Sequence, residues 1–296
     1  MALPAARCGR RHSGIAGDSI VVAPALPAAR VLSVAGLGLT VGLVLALTGA
    51  GGGILAVPLL VFGAGLGVAQ AGPIGLLAAG IAAALGAALE LKAGMVRYKA
   101  ALLVAAIGML FSPLGVWLAH RMDNRWLGLL FAIVLLFVAY RSFRQAQGRT
   151  GESVVCGALE VPCVRDSTSG RFVWTTGCAR ALALSGTLAG FLSGLLGVGG
   201  GFVLVPALQK FTDLSMQAAV ATSLAVVALV SLSGVVSSAV AGNLDWPVAL
   251  PFCAGAVAGM AGGRLIADRL AGPQMQKGFA LVSALVALAM VAKALL

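Results

Sequence analysis

From Val31 to Leu89 the chain carries no Asp, Glu, Lys or Arg. A spanning helix needs about 20 apolar residues, so a run of this length must cross a membrane, break and return. The break is written into it as Gly49-Ala50-Gly51-Gly52-Gly53-Ile54-Leu55-Ala56-Val57-Pro58. It returns later in the chain as Gly197-Val198-Gly199-Gly200-Gly201-Phe202-Val203-Leu204-Val205-Pro206, and the same offset pairs Gly38 with Gly186, Gly42 with Gly190 and Leu60 with Leu208. A duplication inside membrane sequence, with a helix breaker in the same place twice, is the pattern of proteins that carry a binding site near the bilayer midplane.

Composition points the same way. The 296 residues are 60% hydrophobic and 10% charged, with a mean hydropathy of +1.05, whereas soluble domains carry about 25% charged residues. The 41 glycines suit close packing of membrane helices. The formal charge of +11 is clustered. Arg7, Arg10, Arg11 and Arg30 face only Asp18 in the tail, and Arg141, Arg144, Arg149, Arg165, Arg171 and Arg180 face Glu152, Glu160 and Asp166 in the centre. Basic segments beside spans read as cytoplasmic. They lack the interleaved aromatics of a single-strand binder. The expected partners are membrane lipid and a small anionic substrate, with no nucleic acid; a homo-oligomer stays open.

The expected fold is an all-α polytopic membrane protein of about eight transmembrane helices, arranged as two four-helix repeats whose first helices are broken by glycine. The apolar segments run approximately 33–62, 68–89, 100–119, 126–141, 181–209, 215–240, 247–267 and 277–295. Four regions follow: a basic disordered tail at 1–30, read as cytoplasmic or as an upstream start-codon extension; a first membrane repeat at 31–141; a basic cytoplasmic loop at 142–180; and a second repeat at 181–296. The fourth segment is short, with Trp126 and Tyr140 as interface anchors. Pro113 and Pro251 predict kinks, because neighbouring helices can satisfy the carbonyls they free. Ser153 to Thr176 reads as a linker in preference to a short hairpin. Cys156, Cys163 and Cys178 have no zinc spacing and read as free thiols. Eight crossings leave a conflict in orientation. With the loops near 90–99 and 142–180 inside, Arg264, Arg269 and Lys277 fall outside, while the 242–246 connection, with only Asp245, falls inside. A glycine break that re-enters the membrane would change the parity.

Consecutive glycines cost a helix about 1 kcal/mol each and leave backbone amides unpaired. Such groups are tolerated at membrane depth only where they line a cavity or meet a partner. If Ile54 to Leu60 and Phe202 to Leu208 resume as half-helices, their N–H groups and positive dipole ends point into the bilayer and form an anion site. The expected substrate-binding residues are therefore Gly49, Gly51, Gly52, Gly53, Ile54 and Pro58 in the first copy. In the second they are Gly197, Gly199, Gly200, Gly201, Phe202 and Pro206. Thr222 and Ser223 are candidate hydroxyl donors, unless they bond back to their own helix; their counterparts in the first half are Ile74 and Gly75, with Gln70 as a nearby donor. The spaced pairs Gly38/Gly42, Gly186/Gly190/Gly194 and Gly255/Gly259/Gly263 read as tight helix crossings. No enzyme motif is present, and Ser193 has no intramembrane histidine to activate it. No acidic residue sits at the centre of a span, which disfavours a carboxylate proton relay. No metal or cofactor is expected.

The repeated GxGGGxxxVPxL, the AxxATSL at 218–224 and the four-plus-four arrangement resemble the TauE/SafE sulfite-exporter family, over roughly residues 33 to 295. The resemblance implies transport of sulfite, sulfoacetate or a related sulfur-containing anion. Two features depart from the family: Ala71-Gly72-Pro73-Ile74-Gly75 stands where a threonine-serine pair is usual, and the central loop is longer than a minimal linker. Export of a monoanion from a negative interior gains about 2.3 kcal/mol per 100 mV, so the reading is potential-driven export. Import, or a non-transporting assembly partner, are its alternatives.

Overall fold

The computed structural model describes residues 28–48, 52–94, 96–146, 176–212, 215–242, 244–270 and 273–295. Gly49 and Gly51 lie outside them, as do 1–27 of the tail and 147–175 of the central loop, with Cys156, Cys163 and most of the segment weighed as a hairpin. Among the described residues there are ten α-helices and no β-strand. The first half holds α1 (Ala28–Thr48), a 3₁₀ turn (Gly52–Leu55), α2 (Ala56–Gly63), α3 (Val68–Lys92), α4 (Tyr98–Arg121) and α5 (Asn124–Ala146). The second holds α6 (Thr176–Leu196), α7 (Gly201–Phe211), α8 (Met216–Val240), α9 (Trp246–Leu270) and α10 (Pro273–Leu295).

Seven of the helices are long and apolar enough to cross a membrane, and α2, α7 and the apolar stretch of α10 are shorter. Bulky apolar side chains such as Leu110, Phe137, Leu184 and Leu285 stand exposed along them. Water would penalise such a surface and hydrocarbon does not. The chain is therefore an all-α multi-pass membrane protein. Helix continues through both prolines expected to kink, α4 through Pro113 and α9 through Pro251. The fourth segment is longer than its charges suggested, because α5 runs past Arg141 and Arg144, and Arg144 stacks on Tyr140 at 5.7 Å. A long basic side chain can leave the hydrocarbon while its backbone stays helical.

The spaced glycines set the tightest crossings. A β-carbon added at Gly38 would overlap the carbonyl of Phe252, and at Gly42 that of Ala256; additions at Gly255 and Gly259 would overlap Ala35 and Leu39. These pairs advance together, so α1 and α9 are parallel. Gly186, Gly190 and Gly194 meet Val104, Gly108 and Ser112 in the same sense, so α4 and α6 are parallel too. On α3 and α8 the order reverses: Leu76 meets Gly234, Gly80 meets Ser231 and Gly86 meets Leu224.

These registers fix the path of the chain. Gly86 meets Met260 while Glu90 pairs with Arg264, so α3 runs with α9 and hence with α1. The Arg97 N–H donates to Thr222 Oγ1 and Ser233 Oγ to the Met109 carbonyl, so α8 runs with α4 and hence with α6. Because α1 and α3 share a direction, the chain has to turn back between them. It does so through α2, which packs against α1 from Gly52 at Leu45 to Gly63 at Leu37. The second half does the same through α7. Both breaks are hairpin tips. The orientation conflict came from counting each broken segment as one crossing.

The molecule thus has an N face, where α1, α3, α5 and α9 begin, and a loop face, where α4, α6, α8 and α10 begin. Asn124 Oδ1 caps α3 on the N face by accepting the Val68 N–H at 2.8 Å. Arg264 now shares the loop face with Lys92, Arg97 and Arg180, and Asp245 lies on the N face. Ala28, where α1 begins, and Ala146, where α5 ends, lie on opposite faces.

Candidate functional site

The second break is built on backbone conformations that suit glycine. Gly197, Gly199 and Gly200 have φ of 70°, 78° and 66°, a region where a side chain is strained. Space adds a second constraint, since a β-carbon at Gly197 would overlap Gly72 and one at Gly200 would sit 2.5 Å from the Ala189 carbonyl. The Gly197 N–H closes α6 on the Ser193 carbonyl at 2.9 Å, and Gly200 O accepts from Val203 and Leu204 at 3.1 and 3.3 Å. The N–H groups of Gly200, Gly201 and Phe202 form the first turn of α7, which a helix leaves without internal acceptors. Gly201 is buried and Phe202 half-buried. Pro206 is the sixth residue of α7.

The first break solves the same problem differently. From Gly52 it tightens into the 3₁₀ turn, and Gly52, Gly53 and Ile54 are buried, as is Pro58, the third residue of α2. Gly52 lies against the backbone of Leu45, where a β-carbon does not fit. The two breaks touch: a β-carbon at Gly53 would be 2.8 Å from Val198 O and 3.3 Å from the Ala79 side chain. The stretch that departs from the family has a role in this contact. Gly72 and Gly75 let α3 approach Gly197, with the Gly75 β-position 3.2 Å from its carbonyl.

The expected hydroxyls are elsewhere. Thr222 donates to Ala218 O at 2.6 Å and Ser223 to Val220 O at 2.8 Å, so both bond back to α8. The parts of α8 that face Gly199 are Val227 and Ser231. Gln70 is exposed in the first turn of α3.

Ser231, which is not among the residues expected from the sequence, also faces the second break. It is 1% exposed, its Oγ lies 3.5 Å from the β-position of Gly199, and it has no hydrogen-bond partner. Ser193, below the second break, and Ser112, beside Gly234, are also buried and unpartnered. Buried hydroxyls are nearly always paired, and an exception calls for an explanation such as a ligand. A signal was available: Ser231 lies eight residues beyond Ser223, close to the same helical face.

A narrow crevice of about 10 Å³ reaches Gly197 from the N face, between Gly72, Pro73, Val116, His120 and Ser238. It has room for about one water. Toward the loop face lies an apolar cluster that includes Leu45, Leu224, Val227 and Met260. Cys178 takes part in a disulfide, which corrects its reading as a free thiol. Among the described residues no cluster of His, Cys, Asp and Glu could hold a metal ion.

Two helix-breaking hairpins that meet inside a bundle of apolar helices define a multi-pass membrane protein. The comparisons with known proteins say which. Residues 34–290 match the family model described as sulfite exporter TauE/SafE, and the chain belongs to that family of membrane transporters. It is 32% identical to a probable membrane transporter protein of Xylella fastidiosa, over 79% of this chain and 84% of the relative. It is 27% identical to the probable membrane transporter protein YunE of Bacillus subtilis, over 74% and 82%. No solved structure matches the chain.

Proposed function

We propose that this transporter exports a small sulfur-containing oxyanion, sulfite or an organosulfonate, under the membrane potential. The observation that carries the reading is the meeting of the two hairpin tips, Gly53 against Val198, beside the buried, unpartnered hydroxyl of Ser231. The amides of Gly200 to Phe202 and the positive end of α7 attract an anion, and Ser231 adds a neutral donor. The first-copy residues Gly52, Gly53 and Ile54 form the opposite wall. Thr222 and Ser223 drop out of the site as donors, because their protons are already committed to α8.

The repeat itself is read as inverted, α1–α5 against α6–α10. The loop face carries Lys92, Arg97, Lys99, Arg141, Arg144, Arg180, Lys210 and Arg264 against Arg30, Arg121, Arg125 and Lys293 on the N face. That bias assigns the loop face to the cytoplasm. The Cys178 disulfide pulls the other way, because disulfides persist in oxidising compartments; the charge bias, spread over several connections, is the stronger argument.

The test is efflux from liposomes containing purified protein and loaded with sulfite, sulfoacetate, sulfate or chloride, with and without an imposed potential. Potential-stimulated efflux selective for the sulfur oxyanions is expected. If folded protein moves none of these anions, the reading is wrong.

A further inference from the structure

This inference rests on the anion-transport reading above. The repeat relates the two mouths of the protein. On the N face, Val116 and Ser238 line the crevice that reaches Gly197. The positions 148 residues from them are Arg264 and Glu90, and these two side chains are joined on the loop face. Arg264 Nη2 donates to Glu90 Oε1, and Nη1 to the Gly86 carbonyl at 3.4 Å. One mouth therefore has a valine and a serine where the other has the one ion pair found among the described residues.

The partners are unequally satisfied. Glu90 is in the last turn of α3, where the helix dipole disfavours a carboxylate and favours a cation. Its side chain is 16% exposed, and its second oxygen, Oε2, is buried with no hydrogen-bond partner. An ionised carboxylate has about four acceptor sites, so Glu90 is poorly held by anything except Arg264. The Arg264 side chain is 31% exposed. Its planar donors fit a sulfur oxyanion as well as they fit a carboxylate. On the same helix, Met260 meets Gly86 and belongs to the apolar cluster on this side of the bundle.

We propose that Arg264 is the anion-receiving residue of the loop-face mouth and that Glu90 is a stand-in for the substrate. An oxyanion arriving at this face takes the guanidinium from the Glu90 carboxylate. Glu90 then competes with the substrate, and the two residues have opposite effects on apparent affinity. A plain lock predicts something else, since removing either partner breaks the same contact and gives the same phenotype.

The experiment measures uptake of radiolabelled sulfite into everted and right-side-out membrane vesicles, which reads KM at each face separately. Thermal stabilisation of the purified proteins by sulfite is measured alongside. With Glu90→Gln, KM at one face falls about threefold or more; with Arg264→Gln, KM at that face rises about tenfold, as expected for losing a charge-assisted bond. Arg264→Lys falls between wild type and Arg264→Gln, and KM at the other face stays within about twofold, because a lysine keeps the charge without the fork. A gain of affinity in Glu90→Gln cannot come from misfolding, so this arm holds even if Arg264→Gln is unstable. If wild type transports and both variants shift KM in the same direction, or neither shifts it, this inference is overturned alone. If wild type neither transports nor is stabilised by sulfite, it falls together with the transport reading.

Discussion

Replacing Ser231 by alanine should move stability and transport in opposite directions. In the substrate-free protein the hydroxyl is buried and has no partner. Leaving such a group unpaired costs about 1–3 kcal/mol, so its removal is neutral or stabilising by about 1 kcal/mol after the small void left behind is counted. In the proposed site the same hydroxyl donates to a charged oxygen of the bound substrate, which contributes about 1.5–3 kcal/mol. At 1.4 kcal/mol per factor of ten, KM for efflux rises about 10- to 100-fold. The assay is the concentration dependence of sulfite efflux from proteoliposomes, with thermal unfolding in detergent measured on the same preparation. A variant that loses stability while keeping the wild-type KM would refute the reasoning, because it would show that the hydroxyl supports the fold and not the ligand.

Three further outcomes follow from the same geometry. Ser223→Ala keeps KM within about threefold, since a hydroxyl already bonded to its own helix is a weak donor to a ligand; a loss comparable to that of Ser231→Ala would return Ser223 to the site. Gly197→Ala gives little monodisperse protein, because a left-handed alanine costs about 1–2 kcal/mol before the overlap with Gly72 is counted. Normal yield and melting of that variant would mean that the second hairpin can relax. Single cysteines at Arg30→Cys and Arg144→Cys react with a membrane-impermeant thiol reagent from opposite faces, and labelling from the same face would remove the hairpin topology.

Features that depend on neighbours in sequence were legible. The glycine breaks, the half-helices after them and the tight crossings at Gly38/Gly42 and Gly186/Gly190/Gly194 each follow from residues within a turn or two. The direction taken after each break was not. Residues 52–63 have the same length and hydropathy whether they continue across the membrane or turn back. The choice is made by α9 and α4, whose carbonyls receive the glycines of α1 and α6 and set their direction. The hydrogen bonding of the candidate donors was not legible for a related reason. Thr222-Ser223 stands out as a pair in the sequence, but each hydroxyl finds a carbonyl on its own helix, while Ser231 sits among apolar residues and faces Gly199 from across the bundle.

Sequence alone determined that this chain lives in a membrane, that it is built twice and that each half breaks its first helix, because hydropathy, repetition and helix propensity are properties of contiguous residues. Only the tertiary structure decided that both breaks are hairpin tips meeting each other, that Arg264 shares the loop face with the other basic connections, and that Ser231 is the unpartnered donor beside Gly199. Each of these depends on which helix lies next to which, and on groups more than thirty residues apart in the chain.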